Sequence, residues 1–233
     1  MFRTATRVTA SLVLLAVASA PAMAQEVARN VAGGGITVPG WMGQVDANEA
    51  ARGQVITNSR FAPEGEGFRV TTGPAAVYWH ASNRATGEYT VRATFTEPEY
   101  MNVNDHPHPY GIVIGGNGLG TEQRSYLYCA AYGNGSFIVR GFGPAAFQVN
   151  GRRGETSDAV HKAAGKGQPV TQDIAVSVDD DEVSCSINGT VVGTWPTSAI
   201  VGEGKLTSTD GHYGVRFAHN TDGIVTGLAM TKD

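Results

Sequence analysis

Val170–Trp195 reads VTQDIAVSVDDDEVSCSINGTVVGTW. It divides into an alternating strand, an aspartate-rich turn, a second strand, an Asn-Gly hairpin and a third strand. Asn188-Gly189 suits a two-residue type I′ turn, because both central residues there take positive φ. That turn predicts the pairs Ile187 with Thr190, Cys185 with Val192 and Val183 with Thr194. Side chains alternate along a strand, so Val183, Cys185 and Ile187 face one way and Glu182, Ser184 and Ser186 the other. One apolar and one polar face mark an antiparallel strand with one side on a core. Asp179-Asp180-Asp181 reads as a solvated turn. It lacks the further spaced oxygens and the glycine of a calcium loop. The expected class is all-β, built as a two-sheet sandwich.

The same alternation recurs upstream. In Glu88–Thr96 (EYTVRATFT), Tyr89, Val91, Ala93 and Phe95 are expected inward and Thr90, Arg92, Thr94 and Thr96 outward. Phe68–Thr72, Ala75–His80, Tyr110–Gly115, Ser125–Tyr132, Phe137–Phe142, Ala146–Val149, Gly211–His219 and Ile224–Thr231 also read as strands, with a further short one at Gly53–Asn58. Gly133-Asn134-Gly135 marks another hairpin. Asn150–Pro169 reads as a long polar loop, with room for a short helix around Ser157–Ala164. Glycine is 31 of 233 residues and charged residues are 16%, which suits many short strands joined by turns.

The N-terminus reads as a secretory signal over residues 1–24. Arg3 and Arg7 are its basic start, Leu12–Ala20 its apolar stretch and Ala22-Met23-Ala24 its cleavage site. The expected address is periplasmic or secreted. No stretch reaches the ~20 apolar residues of a membrane span. Residues 25–40 read as a linker or edge strand, and 41–233 as one β-sandwich domain. The formal net charge is −4, and loss of Arg3 and Arg7 makes the chain more acidic, which excludes the basic surface of a nucleic-acid partner. Cys129 and Cys185 both sit on apolar faces. In an oxidising compartment they are candidates for a disulfide, with two buried free thiols as the alternative.

DDDEVSCSINGTVV, the Trp-Pro loop and DGHYGVRFAHNTDGIVTGLAMTKD follow one another in an order that resembles the C-terminal half of concanavalin A-like jelly rolls. The order is similar in particular to the 3-keto-disaccharide hydrolase (DUF1080-type) domain. The carrying residues are Asn188-Gly189, Gly211-His212-Tyr213-Gly214-Val215 and Ile224–Met230, with EYTVRATFT upstream. The resemblance implies a two-sheet antiparallel jelly roll and a carbohydrate partner. The family-16 glucanase pattern E-x-D-x-x-E is absent.

Four groups of residues are candidates for chemistry. Tyr126, Tyr128 and Tyr132 point opposite to Leu127 and Cys129. On an open concave sheet they would offer flat rings with polar tips to a sugar. Tyr78, His80 and Arg140 are expected to join them, with Trp79 in the core. His106 and His108 stand in an Asn104–Tyr110 loop rich in proline, read as a sugar-contacting wall. A metal site there would need a third ligand from Asp105, His212 or His219, and neither metal nor cofactor is expected. Glu97, Glu99 and Asp105 are the candidate catalytic carboxylates, since glycoside hydrolysis needs a facing pair. The leading expectation is an exported sugar-binding sandwich. A glycoside hydrolase and an interaction domain without small ligand are the alternatives, and the oligomeric state is left open.

Overall fold

The computed structural model describes Met1 and residues 27–232. The secretory-signal expectation for 1–24 lies outside the described residues. Among the described residues sixteen strands run in chain order: β1 (Gly35–Ile36), β2 (Trp41–Val45), β3 (Arg60–Glu64), β4 (Gly67–Thr71), β5 (Ala76–Ala85), β6 (Tyr89–Glu97), β7 (Tyr110–Asn117), β8 (Ser125–Ala131), β9 (Ser136–Phe142), β10 (Ala146–Gln148), β11 (Glu155–Thr156), β12 (Val170–Val178), β13 (Glu182–Ile187), β14 (Thr190–Pro196), β15 (Gly211–Phe217) and β16 (Asp222–Lys232). One four-residue helix, α1 (Ala47–Ala50), follows β2. Among the described residues no helix is long and apolar enough to cross a membrane.

The strands form two sheets. Sheet A has the order β1-β3-β4-β16-β6-β12-β13-β14, and sheet B the order β10-β9-β8-β7-β15-β5-β2, with β11 added against β9. All pairings are antiparallel except β1 on β3. The architecture is the expected all-β, two-sheet jelly-roll sandwich. The core lies between the inner faces. Sheet A supplies Phe61, Tyr89, Val91, Phe95, Ile174, Val176 and Cys185, and sheet B supplies Tyr110, Ile112, Leu127, Cys129, Val139 and Phe217. Period-two alternation put these side chains on one face, and their removal from water stabilises the sandwich by about 25 cal/mol per Å² of apolar surface.

The hairpin behaves as its sequence demands at the turn and departs from it further along. Asn188 has φ 50° and Gly189 φ 79°, and Ile187 pairs with Thr190. A β-bulge then shifts the register between Cys185 and Ser186, so Cys185 faces Gly193 and Val183 faces Trp195. The predicted partners Val192 and Thr194 are each displaced by one residue. The shift turns Trp195 inward onto the core, with its ring over Gly193, where any Cβ would collide at 2.4 Å. A one-residue extra on one strand reverses which residues face the core.

Cys129 on β8 and Cys185 on β13 form a disulfide that joins sheet B to sheet A across the core, with Cα atoms 6.3 Å apart. Residues Ser157–Ala164 form no helix; the chain there is held as turns, with a bridge from Lys162 to Asn134. Gln172, fully buried, accepts from the His161 N–H and the Asn188 side chain and donates to the His161 carbonyl. Those bonds compete with any local helix. Ile56–Asn58 forms a short 3₁₀ turn rather than a strand. The segment before β2 is tied down as well: β1 is an edge strand of sheet A, and the Arg29 guanidinium donates to the Thr72 carbonyl at 2.9 Å.

Candidate functional site

The outer face of sheet B carries a second apolar layer: Val77, Trp79, Val113, Tyr126, Tyr128, Ala130 and Ile138, with Phe142, Tyr132 and Leu119 packed against it. Tyr126 and Tyr128 therefore face away from Leu127 and Cys129, as their alternation demands. They are not an open platform, however: Tyr126 is 0% and Tyr128 3% exposed. Tyr132 is half-buried, and burial pushes its hydroxyl up to about 12.

What covers them is an ion pair that the sequence reading missed. Arg216, from β15, and Asp46, just before α1, form two parallel bonds of 2.7 Å and 2.6 Å. The guanidinium also donates to the Tyr126 hydroxyl at 3.3 Å and lies 5.0 Å and 5.2 Å over the Tyr128 and Phe142 rings. Burial favours the neutral form of Arg216, but Asp46 more than reverses this, and its pKa is raised well above the ordinary value. The paired geometry and aromatic faces are what a buried guanidinium requires. Arg216 sits between Val215 and Phe217, both in the core. An arginine between two core residues was the available signal for a specific partner on the opposite face.

Above this layer runs a groove of about 1110 Å³, walled by β2 and α1 on one side and the β9–β10 turn on the other. Arg140 and Phe142 of β9 line it, with Arg124, Glu122, Asn48 and Gln54. Arg124 donates to the Val45 carbonyl at 2.8 Å, and Gln44 holds the 118–121 turn through bonds of 2.9 Å and 2.7 Å. These bonds tie the β2 wall to the segment between β7 and β8. A smaller hollow of about 510 Å³ lies against sheet A around Arg92, Thr94 and Asp173; it lacks aromatic side chains.

The remaining predicted residues divide. Arg140 reaches the groove. Tyr78 does not: it points into the main core and stacks on Phe61 at 5.1 Å, while Trp79 takes the outer face. The expected facing of that pair is reversed. Both faces of β5 are buried here, so alternation of polarity could not discriminate them. His80 lines a separate hollow with Trp41 and Phe68 and lies 2.7 Å from the Ser82 hydroxyl.

The carboxylates are also separated. Glu97 ends the inward series of β6 and is 4% exposed. It accepts from the Met101 N–H at 3.3 Å, its Oε2 has no partner, and burial pushes its carboxyl up to about 7. Glu99 is exposed and accepts from the Asn102 amide. One is inside and the other outside, so they do not share a face across Pro98.

Asp105 lies 2.5 Å from His106 Nδ1. His106 and His108 do meet a third histidine, and it is His219, just beyond β15. Their ligand atoms all lie within 4.8 Å of one another. His212 is elsewhere, 3.2 Å from Arg84. The pairing of Phe217 with Tyr110 brings the end of β15 beside the start of β7, which is why residues so far apart in sequence converge. His108 is buried, and burial with His219 and His106 beside it pushes its pKa down to about 3.

Known structures share this architecture. A carbohydrate-binding module, CBM66 from Bacillus subtilis, superposes with a TM-score of 0.55 at 8% identity, over 83% of this chain and 96% of that one. A Bacillus subtilis protein of unknown function with a galectin-like fold gives 0.52 at 12%, over 82% and 89%. The fold is the two-sheet antiparallel jelly roll of these structures. No family model matches the chain, and no curated protein matches it in sequence. The narrower resemblance to the 3-keto-disaccharide hydrolase domain therefore stands on the sequence pattern alone.

Proposed function

We propose that the protein is an exported carbohydrate-binding sandwich that takes an oligosaccharide along the concave groove of sheet B. The observation that carries this reading is the groove's lining. Phe142 offers a ring, Arg140 and Arg124 offer the guanidinium N–H groups not taken by Gln148 and the Val45 carbonyl, and Glu122, Asn48 and Gln54 offer acceptors and amides. Sugars present apolar C–H faces ringed by hydroxyls, and a ring among fixed polar groups complements both. The groove's size exceeds the ~300–1,000 Å³ usual for small-ligand pockets, which suits a chain laid lengthwise. The carbohydrate-binding module of the same fold supports the class of ligand. The disulfide supports export, because such bonds persist in oxidising compartments.

The contact set differs from the tyrosine strand expected from sequence. Tyr126 and Tyr128 serve as the floor's support, and Arg140 and Phe142 make the contacts. A glycan array followed by calorimetric titration tests this. Binding of at least one oligosaccharide is expected, weakened at least tenfold by Arg140→Ala and Phe142→Ala. Absence of binding across the array, or full affinity in both variants, rejects the proposal.

A further inference from the structure

We propose that His106, His108 and His219 form a binding site for a divalent transition-metal ion, zinc by its ligand chemistry, at the end of the sandwich where β15 meets β7. The three ligand atoms lie within 4.8 Å of one another, and His106 Nε2 is 2.9 Å from His108 Nε2. The rings sit edge to face, with centroids 4.3 Å apart for His106–His108 and for His108–His219, and 6.5 Å for His106–His219. A tetrahedral ion with Zn–N bonds of about 2.0–2.1 Å holds its nitrogens roughly 3.3 Å apart. The separations in the trio, from 2.9 Å up to a limit of 4.8 Å, bracket that spacing.

The Nδ1 atoms of two of the three rings, His106 and His219, face carboxylates, as those of metal-bound histidines do. Asp105 stands on His106 Nδ1 at 2.5 Å, and Glu49 on His219 Nδ1 at 3.4 Å. A carboxylate on Nδ1 fixes the tautomer that leaves Nε2 as the ligand and raises its basicity. Asn104 lies 3.2 Å from His108 Nδ1 and also donates to the Asn220 carbonyl at 3.0 Å. Asn220, next to His219, has φ 51° and bonds to residues of the N-terminal segment through both atoms of its amide. The histidines are thus held by the fold before any ion arrives. Imidazole nitrogens suit zinc, copper and nickel, whereas calcium and magnesium take oxygen. Three protein ligands leave a fourth position for water or a ligand oxygen.

The site is separate from the groove and does not depend on sugar binding. The test is calorimetric titration of chelator-treated full-length protein with zinc chloride. One ion per chain is expected. His106→Gln, His108→Gln and His219→Gln should each weaken binding by more than the ~10–100-fold typical of outer-sphere changes, and Asp105→Asn by about tenfold. His161→Gln, at an exposed histidine elsewhere, should bind as the parent does. Cobalt substitution should give the visible absorption of a four-coordinate ion in the parent and not in His106→Gln. That variant is at an exposed position, so its loss of binding reports on coordination rather than folding. No zinc binding by the parent, or equal affinity in His106→Gln and the parent, overturns the proposal.

Discussion

Replacing Glu97 by glutamine tests how the buried end of β6 responds to pH. The Glu97 carboxyl is pushed up to about 7 by burial, from an ordinary value of 4.5. Below pH 4.5 the group is protonated in both folded and unfolded chains and has no differential effect. Between 4.5 and 7 the unfolded chain releases the proton while the folded chain keeps it, so stability falls as pH rises. Above 7 both states are ionised and the loss is complete. At 1.36 kcal/mol per pKa unit, the difference of about 2.5 units amounts to roughly 3 kcal/mol. Glutamine keeps the shape and the acceptor for the Met101 N–H but does not titrate. Urea unfolding of both proteins, followed by tryptophan fluorescence from pH 4 to pH 8, isolates this group by difference. Glu97→Gln should gain about 3 kcal/mol over the parent at pH 8 relative to pH 4. A difference that stays flat across that range would show that Glu97 is ionised in the folded chain, and the reasoning would fail.

Other substitutions have defined outcomes. Cys129→Ala with Cys185→Ala opens a loop of 56 residues and should cost about 4 kcal/mol by chain entropy, read as a lowered urea midpoint. Asp46→Ala leaves the Arg216 guanidinium buried without its carboxylate and should destabilise by about 3–5 kcal/mol, and Arg216→Met added to it should recover much of that loss in the same assay. Gly189→Ala places a Cβ at φ 79° and should lower the thermal midpoint by a few degrees, equivalent to about 1 kcal/mol. An unchanged midpoint would argue against a strained turn.

The sandwich was legible wherever one face of a strand is polar. EYTVRATFT gave its inward and outward residues correctly, and Asn188-Gly189 gave the turn. Legibility failed where both faces are buried. In β5, Tyr78 and Trp79 are neighbours of similar polarity, and only the pairing of the folded sheet decides which one enters the core. It failed again at Gly193, where a bulge serves the packing of Trp195, a requirement set by the far sheet. The candidate site was half legible. His106 and His108 could be singled out because a single residue, Pro107, separates them, but His219 joins through the β7–β15 ladder, which no local spacing encodes. Asp46 and Glu49 were invisible for a similar reason: their partners, Arg216 and His219, lie at the other end of the chain.

The placement of β15 and β16 has a further consequence. Each lies in the interior of its sheet: β16 separates β4 from β6, and β15 separates β7 from β5. A chain that has emerged only as far as residue 210 therefore holds four sheet fragments with open edges and no continuous wall on either side. Synthesis runs from the N-terminus, so both halves of the sandwich wait on the same late segment. Closure of both sheets requires residues 211–232, and a product truncated before them leaves each sheet in two fragments. Unpaired edges of this kind are templates for association with other chains. The interval before that segment arrives is the period in which this protein is most exposed to aggregation.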